Sequence, residues 1–281
     1  MGQDADRRRE LGGFLRKRRE GLVRADYELP PVGRSRVTGL RREEIAYHAG
    51  VSVTWYTWLE QGKDINPSRQ VLDSIARTMR LSAAEHEYTL ALAGYAPSPP
   101  HDVTPVTAPP HIRRLLEAQD TSPAFAVSPD WMIAGWNRAY EALYPNVAAV
   151  APEERNLLWL IYTDPYVRQM LPDWETTSRH FLAEYRAEAG PSLGHSAHVA
   201  LLTRLLSASP EFAAAWEEHQ VERFSSRERH FRHPDVGDLA FEHHRLTPSD
   251  LPDIHVVVYV PLEGTETEQK VRRLVRPMSR V

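Results

Sequence analysis

Residues 40–62 read LRREEIAYHAGVSVTWYTWLEQG. Two short stretches, 41–49 and 53–61, flank Gly50-Val51-Ser52. Glycine supplies the left-handed backbone on which a helix stops. Serine has the hydroxyl that caps the next one. Ala46 is small where two helices approach closely, and Val51 is an apolar plug between them. Ile45, Ala49, Tyr56 and Leu59 fall where the two helices close on a core, and Gly62 ends the second helix. The spacing predicts two helices crossing sharply over a three-residue turn. Ser52, Val53, Thr54, Trp55, Thr57 and Trp58 then occupy the start and outer face of the second helix, the part of such a pair that enters a DNA major groove.

Working outward, residues 7–20 predict a basic helix with Leu11, Phe14 and Leu15 on one face. A polar segment, 24–38, follows. Residues 68–80 place Val71, Leu72, Ile75, Ala76 and Met79 at helical period. Ser82-Ala-Ala-Glu85 is a capping box that opens a fifth helix ending near Gly94. Proline is dense from Pro97 through Pro110, which favours an extended spacer over a helix. The charge balance changes sign there too. Residues 1–96 carry 16 basic and 13 acidic side chains, against 18 and 25 in the remainder. Within 7–42 the count is 12 basic to 4 acidic. One end of the chain suits a polyanion and the other repels it. The expected layout is a five-helix domain at 1–96, a linker at 97–110, a mixed domain at 111–265 and a tail at 266–281.

The mixed domain starts with strands at 124–127 and 131–136, joined at Ser128-Pro129-Asp130. Asn137 is placed to cap a helix running to Tyr144. Helices are expected near 153–162, 174–189 and 195–207, and another opens at Ser209-Pro210. Beyond it the period shortens to two, predicting strands at 221–224, 229–233, 237–246 and 254–262. Strands at both ends with helices between them predict one antiparallel sheet covered on one face.

The pattern REE-I-A-x-x-AGVS-x-x-x-Y-x-x-LEQG-x-x-x-x-PS resembles the XRE-type, Cro-like helix-turn-helix, and the likeness spans residues 7–95. It implies that Arg42 touches a phosphate or a base edge and that Thr54, Trp55 and Thr57 face bases. Arg34, Arg36 and Arg41 lie near the motif and are expected on phosphates. Arg7–Arg9 read more simply as a solvated face. Trp55 and Trp58 depart from the small polar readers usual there. Either they pack inside the domain or against a partner, or they meet thymine methyls.

Three later segments, PAFAVSPDWMIAGWNRAYEALY, SPEFAAAWEEHQVERF and HPDVGDLAFEHHRL with HVVVYVPL, resemble in that order the C-terminal domain of MmyB-like regulators, over about 110–265. The resemblance implies a PAS-related fold: an antiparallel sheet with covering helices around an apolar cavity that takes a fatty acid or similar lipid-like molecule. Trp136, Tyr140, Leu143, Leu158, Trp159, Ile161, Leu202, Leu205, Phe212 and Trp216 supply apolar mass, which serves a filled core equally well. A carboxylate ligand needs a cation or several donors at the cavity end. Arg223, His219 and Asn137 are candidates beside Tyr140, Trp159 and Trp216. Arg223 also reads as an ion-pair partner for a nearby glutamate, and Asn137 as a cap alone.

The chain has no cysteine, which excludes disulfides, thiol catalysis and Cys-ligated zinc. The thirteen histidines form no His-Glu-x-x-His, and the pairs His195/His198 and His243/His244 have no carboxylate set beside them. No Gly-rich phosphate loop or Gly-x-Ser-x-Gly occurs. No apolar run nears the roughly 18 residues that cross a bilayer, and the charged N-terminus lacks a signal-peptide core. A haem held by one histidine stays open, with a Soret band as its test. The expectation is a non-enzymatic, cytoplasmic regulator without a resident cofactor or metal. It binds double-stranded DNA as a homodimer and senses a small lipid-like ligand. The alternative is a second domain that only docks a protein partner.

Overall fold

The computed structural model describes residues 2–30, 39–95, 107–193 and 195–275. The chain divides into two compact units. One holds Met1–Pro100 with Leu182–Thr203 and Ala213–Arg223; the other holds His101–Phe181, Arg204–Phe212 and Phe224–Val281.

In the first unit, α1 (Gly2–Gly21) buries Leu11, Phe14 and Leu15. α2 (Arg42–Ala49) and α3 (Val53–Glu60) form the expected crossed pair. Gly50 joins them with φ of 71°, and Val51 N–H reaches back to the Ala46 carbonyl at 3.0 Å. Ser52 Oγ accepts from Trp55 N–H at 3.2 Å, which satisfies an orphan donor of α3. Ile45, Ala49, Tyr56 and Leu59 are all buried. α1 presses on the end of α3 at Gly12, where an added Cβ would lie 2.5 Å from the Glu60 carbonyl oxygen. α4 (Arg69–Thr78) buries Leu72, Ile75 and Ala76. α5 (Ala83–Leu92) starts on the Ser82–Glu85 box, with bonds of 3.3 and 2.7 Å. The N-terminal region is thus all-helical. Strand pairing predicted for 221–224 is absent: Glu222 N–H instead bonds the Ala183 carbonyl at 3.2 Å, so that stretch answers a helix and not a sheet.

In the second unit, α6 (Pro110–Glu117) precedes β1 (Ala124–Val127) and β2 (Ile133–Trp136). β2 starts later than expected because Trp131 takes a left-handed φ of 64° and closes the turn onto Ser128 O at 2.9 Å. α7 (Arg138–Leu143), α8 (Leu157–Thr163), α9 (Pro165–Met170) and α10 (Trp174–Ala189) follow. The helix expected from 153 starts only at 157, where Asn156 Oδ1 caps Trp159 N–H at 3.1 Å. α10, α11 (Ser196–Ala208) and α12 (Pro210–Trp216) are divided between the two units, with Leu182–Thr203 and Ala213–Arg223 counted in the first; the chain then continues in the second through β3 (Arg227–His233), β4 (Gly237–Leu246), β5 (His255–Pro261) and α13 (Thr267–Val275). The five strands form one antiparallel sheet in the order β2-β1-β5-β4-β3.

Both faces of this sheet are covered, not one. Ile112 and Leu116 of α6, with Ala108, pack on Ala124, Ala126, Ala134, Val256 and Val258. On the opposite face Phe125, Phe231, Phe241 and Tyr259 form a run of tilted and edge-on rings. Part of the supposed tail also belongs to the fold. α13 buries Thr267 and Val271, and Thr267 Oγ1 accepts from Ala240 N–H at 2.9 Å. Of the expected linker, residues 97–106 lie outside the described residues, while Ala108 already donates to the Ala134 carbonyl at 2.9 Å.

Candidate nucleic-acid interface and ligand cavity

α3 is divided lengthwise. Tyr56, Leu59 and Glu60 are buried, whereas Val53 and Trp58 are 44% and 46% exposed. Ser52 and Thr54 are exposed; Trp55 and Thr57 are half-buried. Thr57 Oγ1 donates to the Val53 carbonyl at 2.8 Å. Arg41, just before α2, is exposed, and its backbone N–H donates to Glu44 at 2.6 Å. Arg42 donates from Nε to Glu60 at 2.7 Å and keeps 38% of its side chain exposed. Arg34 and Arg36 lie outside the described residues.

Glu60 holds this arrangement together. Its carboxylate is fully buried and takes Arg19 Nε at 2.6 Å on one oxygen and Arg42 on the other. Burial pushes its pKa up; hydrogen bonds from Arg19 and Arg42 and the Arg19 charge outweigh that and hold it below the ordinary carboxylate range. Arg24 adds a two-pronged pair with Glu44, both bonds 2.6 Å, which fixes the start of α2.

The second unit contains a cavity of about 40 Å³. Tyr140, Leu143 and Tyr144 line it from α7 and its end, and Leu157, Leu160 and Ile161 from α8. Val167, Met170, Leu171, Phe181, Phe231 and Tyr259 close the rest. None of these side chains carries a charge. Small-molecule pockets commonly run to about 300–1,000 Å³, so this space is nearly filled.

Of the six residues expected to hold a ligand, Tyr140 alone lines this cavity. Asn137 is committed elsewhere. Its Oδ1 accepts from Ala124 and Tyr140 N–H at 3.0 and 2.8 Å. Its Nδ2 donates to the carbonyls of Leu116, Gln119 and Ser122. Trp159 stacks under the Arg204 guanidinium at 4.2 Å. Trp216, His219 and Arg223 belong to the first unit. Trp216 lies under Arg186, His219 Nδ1 is 3.1 Å from Glu10, and Arg223 pairs with Glu87.

Sequence reasoning missed two buried groups on the sheet face that carries Phe231 and Tyr259. Arg229 stacks on the cavity-lining Phe181 at 4.7 Å. His243 sits 5.0 Å from the Tyr259 ring, and burial, then the charge of Arg229, drives its pKa down to about 2. Their signal was the alternation in β3, where Arg229, Phe231 and His233 are buried between more exposed neighbours, and in β4, where Leu239, Phe241 and His243 are. A strand rich in Arg and His hides that period. Among the described residues no group of three or more His, Asp or Glu side chains is placed to hold a metal. The ring nitrogens of His198 lie 2.6 Å from Tyr185 Oη and 3.1 Å from Ser192 Oγ.

Residues 108–274 match the MmyB-like transcription regulator ligand binding domain. The chain belongs to the MmyB-like family. Residues 10–88 match a helix-turn-helix domain. This MmyB-like chain therefore has the architecture of an XRE-type regulator, a DNA-binding helix-turn-helix followed by a ligand-binding domain of PAS-like type. Both families are regulatory modules, not catalytic domains. No functionally curated protein matches the chain significantly. Among the described residues no helix is long and apolar enough to cross a membrane.

Proposed function

We propose that this regulator acts as a cytoplasmic homodimer. The N-terminal half of α3 from each copy enters a major groove, Arg41 contacts phosphate, and an apolar, fatty-acid-like ligand at the Tyr140 cavity changes DNA affinity. The observation that carries the DNA contact is the exposed face from Ser52 to Trp58, raised on a helix pair whose other side is locked through Glu60. Two copies on a near-palindromic site would put their α3 helices in successive grooves.

Arg41 is the clean test, because Arg42 also braces Glu60. Arg41→Ala should lower affinity for all duplexes and reduce the slope of log affinity against log salt by about 0.9. An unchanged slope in fluorescence anisotropy titrations removes Arg41 from the phosphate contacts. A second reading is favoured by the size of the cavity: the mixed domain has a solid core and docks a protein partner. Solvent extraction of purified protein with mass spectrometry separates the two. A co-purifying acyl chain supports the sensor. A clean extract, with no thermal shift on adding fatty acids, supports the docking module.

A further inference from the structure

The outward face of α3 is short of groups that read base edges. Side chains that hold a base by two hydrogen bonds are Arg, Lys, Asn and Gln. The exposed and half-buried positions of α3 are Val53, Thr54, Trp55, Thr57 and Trp58. None of those four types is among them. Of the two hydroxyls, that of Thr57 already gives its proton to the Val53 carbonyl. Gln61, Lys63 and Asn66 come only after the helix ends, beyond Trp58.

The face offers carbon instead. Val53 and Trp58 are each more than two-fifths exposed, and the methyl groups of Thr54 and Thr57 lie on the same helix. The apolar feature of the major groove is the C5 methyl of thymine. We propose that Val53 and Trp58 are specificity-determining residues that select half-sites by the placement of thymine methyls, with hydrogen bonds to base edges secondary. This rests on α3 being the DNA-reading helix. It commits the chain to half-sites in which the positions under α3 are thymines and cannot be exchanged for cytosine.

The test uses the full chain. Sites are first selected from a random duplex pool. Each thymine of the selected half-site is then replaced by deoxyuridine, which removes the methyl and nothing else. At contacted positions affinity should fall roughly fourfold per methyl, the worth of one buried methyl-sized group. In Trp58→Ala that penalty should vanish for at least one thymine, because the ring that met the methyl is gone. Trp58→Phe should keep part of it. Trp58 is exposed, so a thermal melt should show both variants folded. The proposal is overturned if deoxyuridine is tolerated everywhere while 7-deazapurines, which remove the N7 acceptor, abolish selection. A pool that yields no preferred site, with binding that is only salt-dependent, removes the DNA-reading assignment of α3 and this inference with it.

Discussion

Glu10 and Glu60 are two glutamates of the same unit, the first nearly buried and the second fully, and their partners come from different places. Glu60 is satisfied inside the five-helix domain, by Arg19 and Arg42. Glu10 takes the Tyr88 hydroxyl at 2.8 Å from that domain, but its charged partner Arg186 and its neighbour His219 come from beyond the linker. Arg186 is fully buried, lies 3.7 Å over the Trp216 ring and donates to the Trp216 carbonyl at 2.5 Å. One carboxylate thus belongs to the DNA-binding module alone. The other is neutralised only when residues from the later half of the chain are in place. Burying a charge is tolerable only with a partner, so Glu10 ties the folding of the first helix to sequence almost two hundred residues away.

The largest effect follows from removing the distant partner. Arg186→Ala should destabilise the full chain by about 3–5 kcal/mol in urea unfolding, because it leaves a buried carboxylate without its main countercharge. The double variant Glu10→Gln/Arg186→Met should recover part of that loss. If Arg186→Ala is neutral, the contrast between the two glutamates is broken.

A smaller effect concerns acid. Burial raises the Glu10 pKa, and the Arg186 charge with hydrogen bonds from His219 and Tyr88 brings it below the ordinary carboxylate range, as Arg19 and Arg42 do for Glu60. A folded-state pKa below the unfolded one gives stability that is fully present above the unfolded value and disappears as pH falls through the folded one. Melting temperatures should therefore decline below about pH 4.5. Glu60→Gln and Glu10→Gln should each flatten that limb, and equal limbs in wild type and both variants would sink the assignment.

The smallest effect sharpens the comparison inside the local cluster. Arg42→Ala should cost only about 1 kcal/mol, because Arg19 still faces Glu60 and Arg42 is partly exposed. Calorimetry would detect a larger loss if Arg42 were the principal brace.

The helix-turn-helix was legible because its determinants are adjacent in sequence. A glycine that must adopt a left-handed φ, a serine two residues on and an apolar spacing need no distant partner. The strands β1, β4 and β5 were legible for the same reason, through alternation and turn residues. What stayed hidden depends on chain brought together from afar. Nothing near Arg186 indicates that its carboxylate lies at position 10. Arg223, with His219 as a further candidate, was expected at a cavity end because a carboxylate ligand needs a cation or donors, yet residues 221–224 form no strand and both side chains belong to the first unit. Asn137 carries both a cap and three carbonyl contacts upstream, one on α6 and two in the loop after it, which no local spacing reveals. α6 was hidden within a proline-rich stretch, although Ile112 and Leu116 are four residues apart on one face.

The uncharged wall around Tyr140 has a thermodynamic corollary. Burial raises the pKa of Tyr140 and Tyr144, so neither phenol ionises near neutrality. Such a wall has no proton to exchange with a guest near neutrality. A neutral guest would then bind with an affinity flat across that range, while a fatty acid buried whole would bind more tightly as the medium acidifies, since its protonated form avoids the cost of stripping water from a carboxylate. The pH profile of occupancy would report the chemical nature of the guest before its identity is known.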